Sequence, residues 1–466
     1  MREGSGFGVR GSGGGVSVCC GAVLAALIIG WHGSPAGAAP ASLDDCIRAA
    51  LAGNSGLEAA RERVAVAEAQ MAQARSAWLP RAGVSAGYTL TDNAPQAFMM
   101  TLNQRRLNMT DPGMDFNHPG DTDNLRLSAG AQYRLYDPAR SGRIGMAREG
   151  AAAAAEDLDA RRNELIHRVT ALFYGVLQAQ AFARVQAEAV HSLEENLRVA
   201  RDRFAAGAVV KTDVLNLEVQ LAQGNEELIR VRNAERLALA AMTAALGGGP
   251  VSGEGLAAPA AEILPAPAVP PAEAYQGRPE LAAARRMVAA RQRELAAVRG
   301  QYGATVSAFG SQDWDTEPGD DFEDSYMAGV AAEWTLFTGG ERKAAVRRAQ
   351  ADLRAAQADL EAATDQLRLD VEQARLQVSD AWERLDVTRK SVESAEESLR
   401  ITRERYQKGA APITELLIAQ VARTATLTRQ EAARYDYLTA SSNAQRAAGE
   451  LFRRYASPVQ QAAVGP

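Results

Sequence analysis

The chain is an internal duplication. Residues 203–215 read RFAAGAVVKTDVL and residues 405–417 read RYQKGAAPITELL, so an arginine, an aromatic residue and a glycine return at the same spacing. Around each copy the residue pattern predicts strand, loop, strand, very long helix, glycine turn and shorter helix. This repeat constrains the fold more than any single residue, because both copies must build the same unit.

The two copies differ mainly in the loop between their strands. Val84 matches Val306 at an offset of 222 residues, whereas Leu135 matches Leu336 at an offset of 201. The first copy therefore carries roughly 20 additional residues between its strands. These residues fall in the loop from Thr91 to Asn124.

The first 38 residues predict a secretory signal peptide. Arg2 and Arg10 precede an apolar run, and Ala36-Gly37-Ala38 offers a cleavage site of the A-x-A type. The mature chain then keeps a single cysteine, Cys46, which excludes an intramolecular disulfide. We therefore expect an unlipidated protein that leaves the cytoplasm.

Composition favours long packed helices over several compact domains. Aromatic residues make up 6% of the 466 residues, and long stretches are rich in Ala, Gln, Arg and Glu. The net charge of -6 argues against a nucleic-acid partner. Beyond the signal peptide, no stretch offers the ~18 consecutive apolar residues of a membrane-spanning helix.

Four stretches predict β-strands, at residues 81–90, 125–135, 302–310 and 328–336. The second alternates polar residues with an apolar set formed by Leu125, Leu127, Ala129, Ala131, Tyr133 and Leu135. The fourth repeats this alternation with Ala328, Val330, Ala332, Trp334 and Leu336. One face of such strands suits lipid and the other suits water. A half-buried soluble hairpin packed on helices fits the same alternation.

Four strands are too few to cross a membrane alone. A sheet in hydrocarbon must close so that no backbone group stays unpaired, and closed membrane barrels contain about eight or more strands. Two or three copies of the chain would supply about 8 or 12 strands. A membrane location therefore requires an oligomer.

Two helices are predicted to be unusually long. No proline interrupts residues 143–203 or 341–406, which correspond to about 90–100 Å of helix each at ~1.5 Å per residue. In the second, small and large apolar residues alternate along a heptad seam. The seam comprises Val346, Ala349, Leu353, Ala356, Leu360, Ala363 and Leu367. Shorter helices are predicted at residues 43–76, 213–246, 279–299 and 414–451.

The signal peptide, the duplicated strand and long-helix units and the two R-[FY]-x-x-G turns together resemble the TolC-type outer membrane efflux protein family. The resemblance implies a mixed α and β fold, a homotrimer in which each chain contributes four strands to a transmembrane β-barrel of about 12 strands. The barrel would continue into a long α-helical periplasmic tunnel. The loop Thr91–Asn124 would face the cell exterior.

The resemblance also implies a function and partners. The protein would be a passive exit duct across the outer membrane and periplasm, in a tripartite efflux or type I secretion system. Its partners would be a periplasmic adaptor protein, an inner-membrane pump and outer membrane lipid. A non-channel periplasmic coiled-coil scaffold remains the alternative.

On this basis the chain divides into five segments. They are a signal peptide at 1–38, a first structural repeat at 39–246, a linker at 247–278, a second repeat at 279–452 and a C-terminal tail at 453–466. The Pro- and Gly-rich linker cannot continue a helix. We expect it to pack around the outside of the helices.

The resemblance places the two glycine turns at the periplasmic tips of the helical hairpins. There the tunnel would narrow and the adaptor would dock, which implies adaptor contacts for Arg203, Phe204, Gly207, Arg405 and Gly409. A glycine after a helix is also an ordinary C-cap. A purely structural role for both glycines therefore stays open.

The same resemblance implies a gate at these tips. Asp213 and Tyr406 match the positions of a linked aspartate and tyrosine, whereas Ala411 stands where the family has an arginine. Of two acidic positions at the narrowest point, Glu415 matches the first and Ile418 replaces the second. Both acidic residues are also favoured at helix starts by the macrodipole.

Other chemistry is scarce. His118, His167 and His191 are too scattered for a ligand set. The long first loop adds Met99, Met100, Met109 and Met114, which suit soft metals but show no defined spacing. With no nucleophile and base, phosphate loop or paired carboxylates, we expect no cofactor and no enzymatic activity.

Overall fold

The computed structural model describes residues 42–108, 110, 115, 117–248, 256, 264, 267–451 and 455. The predicted signal peptide 1–38 lies outside these residues, as does the predicted tail 453–466 apart from residue 455. Most of the predicted linker between residues 249 and 266 also lies outside them, with Met109 and Met114 of the first loop.

Each repeat runs from a helix through two strands to a long helix and a shorter one. The first repeat contains α1 (Leu43–Gly53), α2 (Ser55–Arg75), β1 (Arg81–Thr91), α3 (Ala94–Asn103), β2 (Thr122–Tyr136), α4 (Arg140–Ala205) and α5 (Lys211–Ala245). The second contains α6 (Pro279–Gly300), β3 (Thr305–Thr316), β4 (Glu323–Glu333), α7 (Glu341–Gln407) and α8 (Ile413–Ala447). The long helices have 66 and 67 residues, about 100 Å each.

Several boundaries differ from the sequence-based prediction, and three of the differences have a visible physical cause. The first predicted helix is broken at Asn54, whose side chain caps α2 by accepting from the Leu57 N–H at 3.1 Å. β3 continues to Thr316 through polar residues that resemble a loop, because its ladder with β2 extends that far. β4 ends at Glu333, and Trp334 instead donates from Nε1 to the Tyr302 carbonyl at 3.0 Å.

The four strands form one antiparallel sheet in the order β1-β2-β3-β4. The two hairpins are joined by the β2–β3 pairing, in which Arg126 lies opposite Asp315. Each hairpin thus comes from one repeat, and the central pairing links the repeats. In the described part of one chain, β1 and β4 each keep one edge without a neighbouring strand.

The register separates an apolar face of the sheet from a polar one. The apolar face carries Val84, Tyr88, Leu90, Leu127, Tyr133, Trp314, Tyr326 and Val330. The polar face carries Ser85, Thr89, Arg126, Ser128, Gln132, Asp313, Asp315, Glu323 and Ser325. Val84 and Tyr326 are each 82% exposed in the single chain. An outward apolar face and a polar interior are typical of transmembrane barrels.

Helix α4 lies at the centre of the helical body and contacts α1, α2, α5, α6 and α8. Its buried Ile166, Val169 and Phe173 share a core with Ile47 of α1 and Met242 of α5. Near its start, α4 approaches α6 at backbone distance, because a Cβ on Gly142 would lie 2.5 Å from the backbone nitrogen of Ala297. Small residues therefore allow α4 and α6 to pack closely at this point.

The predicted seam of α7 faces its neighbours. Ala349 and Leu367 are buried, and the buried stripe continues through Val371, Ala374, Val378 and Ala381. Leu264 of the linker packs on α7 and α8, where it contacts the cluster that contains Trp382 and Leu385. None of the described helices is long and apolar enough to cross a membrane.

Candidate functional site

The two long helices end in matching turns. Gly207 has a φ of 74° and Gly409 a φ of 73°. The Ala208 N–H donates to the Arg203 carbonyl at 2.8 Å, and the Ala410 N–H donates to the Arg405 carbonyl at the same distance. These are Schellman motifs, whose left-handed residue is most easily a glycine. Both glycines therefore cap their helices and reverse the chain.

The tips form one cluster from four helices. It contains the buried residues Leu197, Ala200, Val214, Leu217, Leu399, Tyr406, Ile413, Leu416 and Leu417. Corresponding positions of both repeats contribute, such as Val214 with Leu416. The two hairpins of one chain are thus held together by apolar burial at their ends.

Arg203 links the first tip to the second. Its guanidinium donates from Nη1 to the Tyr406 carbonyl at 3.3 Å and from Nη2 to the Gln407 carbonyl at 3.0 Å. The guanidinium carbon also lies 5.2 Å from the centre of the Tyr406 ring. The Tyr406 carbonyl also accepts from the Gly409 N–H at 3.1 Å, whereas the Gln407 carbonyl lies at the end of α7, where intrahelical donors run out. Within one chain, Arg203 therefore fastens the two tips to each other.

Tyr406 is buried at the junction, with 7% of its surface exposed. Its hydroxyl finds no hydrogen-bond partner among the described residues. Burial raises the pKa of Tyr406; the Arg203 guanidinium opposes this rise and the nearby Asp213 carboxylate adds to it. A buried hydroxyl without a partner is costly, which makes this atom the unusual feature of the tip.

The acidic residues occupy equivalent places but different surroundings. Asp213 and Glu415 lie in the first turns of α5 and α8, where the helix dipole favours negative charge. Asp213 is half-buried, whereas the Glu415 side chain is 45% exposed and pairs with Arg405 at 3.2 Å. Within one chain Asp213 does not hydrogen-bond Tyr406.

Two of the remaining tip residues are exposed aromatic or charged side chains, and the two positions that are charged in the family hold apolar side chains here. Phe204 is 45% exposed and the Arg405 side chain 52% exposed. Ala411 is buried, so a methyl group fills the position of the family arginine. Ile418 is 71% exposed, which places an apolar side chain where the second acidic residue was sought.

Arg203 is the tip residue whose structural role sequence reasoning missed. The resemblance implied a cation at position 411, on the same tip as Tyr406. The structure supplies the cation from the other repeat. The repeat alignment pairs Arg203 with Arg405, but no spacing rule shows that the first arginine reaches across to Tyr406.

The histidines do not converge on a common site. His167 is half-buried, 3.4 Å from the Ser442 hydroxyl, whereas His191 is 71% exposed beside Glu195. His118 contacts Asp115 at 3.2 Å in the first loop. In the described ranges no group of three or more His, Cys, Asp or Glu residues could hold a metal ion.

The sequence and its fold were compared with known proteins, and the matches cover most of the chain. The sequence matches the family described as outer membrane efflux protein over residues 46–248 and 271–450. A curated relative, the alkaline protease secretion protein AprF of Pseudomonas aeruginosa, is 24% identical over 348 residues, which is 72% of each chain.

Solved structures show that the fold is shared. The CmeC outer membrane channel of Campylobacter jejuni superposes with a TM-score of 0.78 at 16% identity, covering 90% of this chain and 88% of that one. The outer membrane protein VceC of Vibrio cholerae superposes with a TM-score of 0.74 at 19% identity, covering 87% of this chain and 96% of that one.

Proposed function

Because this chain belongs to the outer membrane efflux protein family, we propose that three copies of it close into one passive exit duct. The protein is an outer membrane channel with a helical domain in the periplasm. The proposal concerns how the channel closes, where it is gated and which proteins it meets.

The open edges of the sheet carry this proposal. The β2–β3 pairing joins the second strand of one repeat to the first strand of the next. The equivalent pairing for β4 is with β1 of a second copy. In hydrocarbon both edges need such partners, because unpaired backbone groups are costly there. Three four-stranded sheets would give a closed barrel of about 12 strands.

The gate is proposed at the tips, with Asp213, Tyr406 and Glu415 as its residues. Within one chain the buried Tyr406 hydroxyl lacks a partner, and a carboxylate from a neighbouring copy would supply one. Asp213 is the acidic residue whose charge already acts on Tyr406. Three copies of Glu415 around the axis would favour cations over anions.

The partners are proposed to be a periplasmic adaptor protein and an inner-membrane pump. Phe204 and Val210 expose apolar surface at the first tip, 45% and 61% respectively, beside the exposed Arg405 of the second. Such a patch fits a protein partner better than water. With Gly207 and Gly409 shaping the turns, we assign adaptor docking to Arg203, Phe204, Gly207, Arg405 and Gly409.

The pump is proposed to set the cargo, for efflux or for type I secretion. The relative AprF is named for protease secretion, whereas the family description names efflux. A lumen lined by the polar sheet face offers no built binding site in the described chain. The same duct therefore suits either system.

The proposed closure is tested by the mass of the extracted protein. We expect the protein in the outer membrane fraction, and detergent extraction followed by light scattering should give the mass of three chains. Planar bilayers should then show discrete channel openings. A monodisperse monomer that extracts without detergent would remove the proposal.

A further inference from the structure

Helix α3 lies on the polar face of the sheet. Gln104, which follows it, is buried and donates from Nε2 to the Asp123 carbonyl at 2.8 Å and to Asn124 Oδ1 at 3.0 Å. Asn124 in turn donates to Asp315 Oδ1 at 2.5 Å, and Arg126 Nε donates to the same oxygen at 2.7 Å. Arg126 and Asp315 belong to the polar face. The C-terminal end of α3 is thus anchored over that face.

Two arginines then fasten the helix to the other hairpin. Arg105 has a φ of 51°, a left-handed conformation that is uncommon for a residue other than glycine. Its Nη1 lies 2.8 Å from Glu323. Arg106 pairs with Glu317 and Asp320 in the turn between β3 and β4. The first loop therefore crosses the sheet from the β1–β2 hairpin to the β3–β4 hairpin.

The side of α3 turned away from the sheet is apolar. Ala97 is 2% exposed, whereas Met99 is 52% and Leu102 is 44% exposed. Pro95, Met99 and Leu102 follow the spacing of one helix face and are all exposed. A polar residue at these positions would be the ordinary choice for a helix facing water.

The position of α3 excludes lipid as the partner of its apolar side. In a closed barrel the polar face of the sheet lines the interior. A helix anchored on that face projects its free side toward the barrel axis, where the equivalent helices of the other copies would lie at the same height. Each chain brings one such helix.

We propose that the three α3 helices pack against one another through Met99 and Leu102 and narrow the outer mouth of the duct. The inference rests on the proposed closure of three copies. It gives the channel a second constriction, at the end opposite the helix tips. The ion pairs of Arg105 and Arg106 hold each helix in place for this contact.

Crosslinking tests the contact in the assembled protein. Leu102→Cys is treated with a short bismaleimide in outer membranes, after the mass of the extracted protein has been measured. We expect covalent dimers across the axis. Asn108→Cys, beyond the two arginines in the same loop, should give none and serves as the control. Absence of a trimer would remove the proposed closure, whereas a trimer without crosslinks at Leu102 overturns only the α3 contact.

Conductance gives a second, independent readout. In the variant with Met99→Asp and Leu102→Asp, three pairs of carboxylates would repel one another, so single-channel conductance should rise about twofold or more. Phe322→Asp changes a residue that is 46% exposed in the β3–β4 turn and should leave conductance unchanged. Unchanged conductance in the inserted α3 variant would overturn the proposed constriction.

Discussion

Helices α2 and α6 occupy the same place in the two repeats but have different neighbours. Leu57 of α2 corresponds to Leu281 of α6 at an offset of 224 residues. α6 packs between α4 and α7, whereas α2 has extensive contacts with α4 but with no other α-helix of the described chain. The same sequence element is therefore enclosed in one repeat and left open on one side in the other.

The residues on the open side of α2 are equivalent to the residues through which α6 contacts α4. α6 uses Arg286, Ala290, Arg293 and Ala297 there, with Ala290 and Ala297 each 5% exposed. The equivalent residues of α2 are Glu62, Val66, Ala69 and Gln73, which are all exposed. Val66 is 55% exposed where its counterpart is 5%. The difference indicates that α2 lacks a neighbour in the single chain, and under the proposed closure this neighbour would be α7 of another copy.

The largest expected effect comes from placing a charge on this open side. Val66→Asp should prevent stable trimers, because a carboxylate would be buried without a partner between α2 and the next copy. The measurement is the mass of the detergent-extracted protein.

Ala72→Asp is the matched control on the same helix. Ala72 and its counterpart Ala296 are both exposed, so neither repeat buries this position. It should leave the trimer intact. If both variants stay trimeric, the open side of α2 is not an interface.

A second prediction concerns the contact between α4 and α6, the helix that is enclosed within one chain. Gly142→Leu should destabilise the chain by about 1–3 kcal/mol or more, because its side chain has no room beside Ala297. A Cβ on Gly150 of the same helix would meet no neighbouring atom within 4 Å, so Gly150→Leu should have little effect. Denaturant unfolding followed by circular dichroism measures both. Equal effects would mean that α4 and α6 are not in close contact.

The third prediction asks whether the tips, like α2, lack a neighbour in the single chain. Tyr406→Phe should remove the proposed hydrogen bond to Asp213 of another copy, which would be worth about 0.5–1.5 kcal/mol. The opening equilibrium would shift a few-fold to about tenfold, and single-channel conductance would rise.

Tyr435→Phe is the control for this change. Tyr435 is also buried with an unpartnered hydroxyl, but it lies in the helical body away from the tips. Conductance should not change in this variant. A more stable, still closed Tyr406→Phe channel would show that the hydroxyl has no partner in the assembly.

The smallest expected effect concerns the contact between α4 and α8, which is already buried within one chain and contains His167. Burial lowers the pKa of His167, and Arg446 lowers it further. The folded protein then binds a proton less readily than the unfolded chain. Stability is thus fully present above the usual histidine pKa of about 6.5 and is lost as pH falls below it.

His167→Gln should reduce this loss of thermal stability between about pH 7.5 and 5. His191→Gln, at a position that is 71% exposed on the same helix, is the control and should behave like the parent. An identical pH dependence in all three proteins would mean that His167 is not enclosed by this contact.

The features that follow from the sequence repeat and from helix and strand periodicity could be predicted from the sequence. The fold class, the outer membrane location and the channel function are confirmed by the family match, and the two long helices lie where uninterrupted patterns placed them. Periodicity is reliable there because one face of each helix must be buried.

What depends on contacts between distant residues was not predictable. α3 lies inside a stretch that looked like a loop, and the bond that anchors it to the sheet joins Gln104 to Asn124, 20 residues further along the chain. The reach of Arg203 to the Tyr406 carbonyl joins residues from different repeats. The extension of β3 to Thr316 depends on its pairing with β2. The roles of the tip residues in gating and adaptor docking remain predictions.

Crosslinking between α2 and α7 tests the closure of three copies most directly. Within one chain, Arg286 of α6 and Glu149 of α4 form an ion pair at 3.2 Å. Their equivalents are Glu62 and, at the offset of 202 that relates Arg203 to Arg405, Ala351, which is exposed on α7. The protein with Glu62→Cys and Ala351→Cys should form disulfide-linked dimers and trimers under oxidation, and no larger species, while either single variant should not. Monomers alone, from a protein that has reached the outer membrane, would contradict the account.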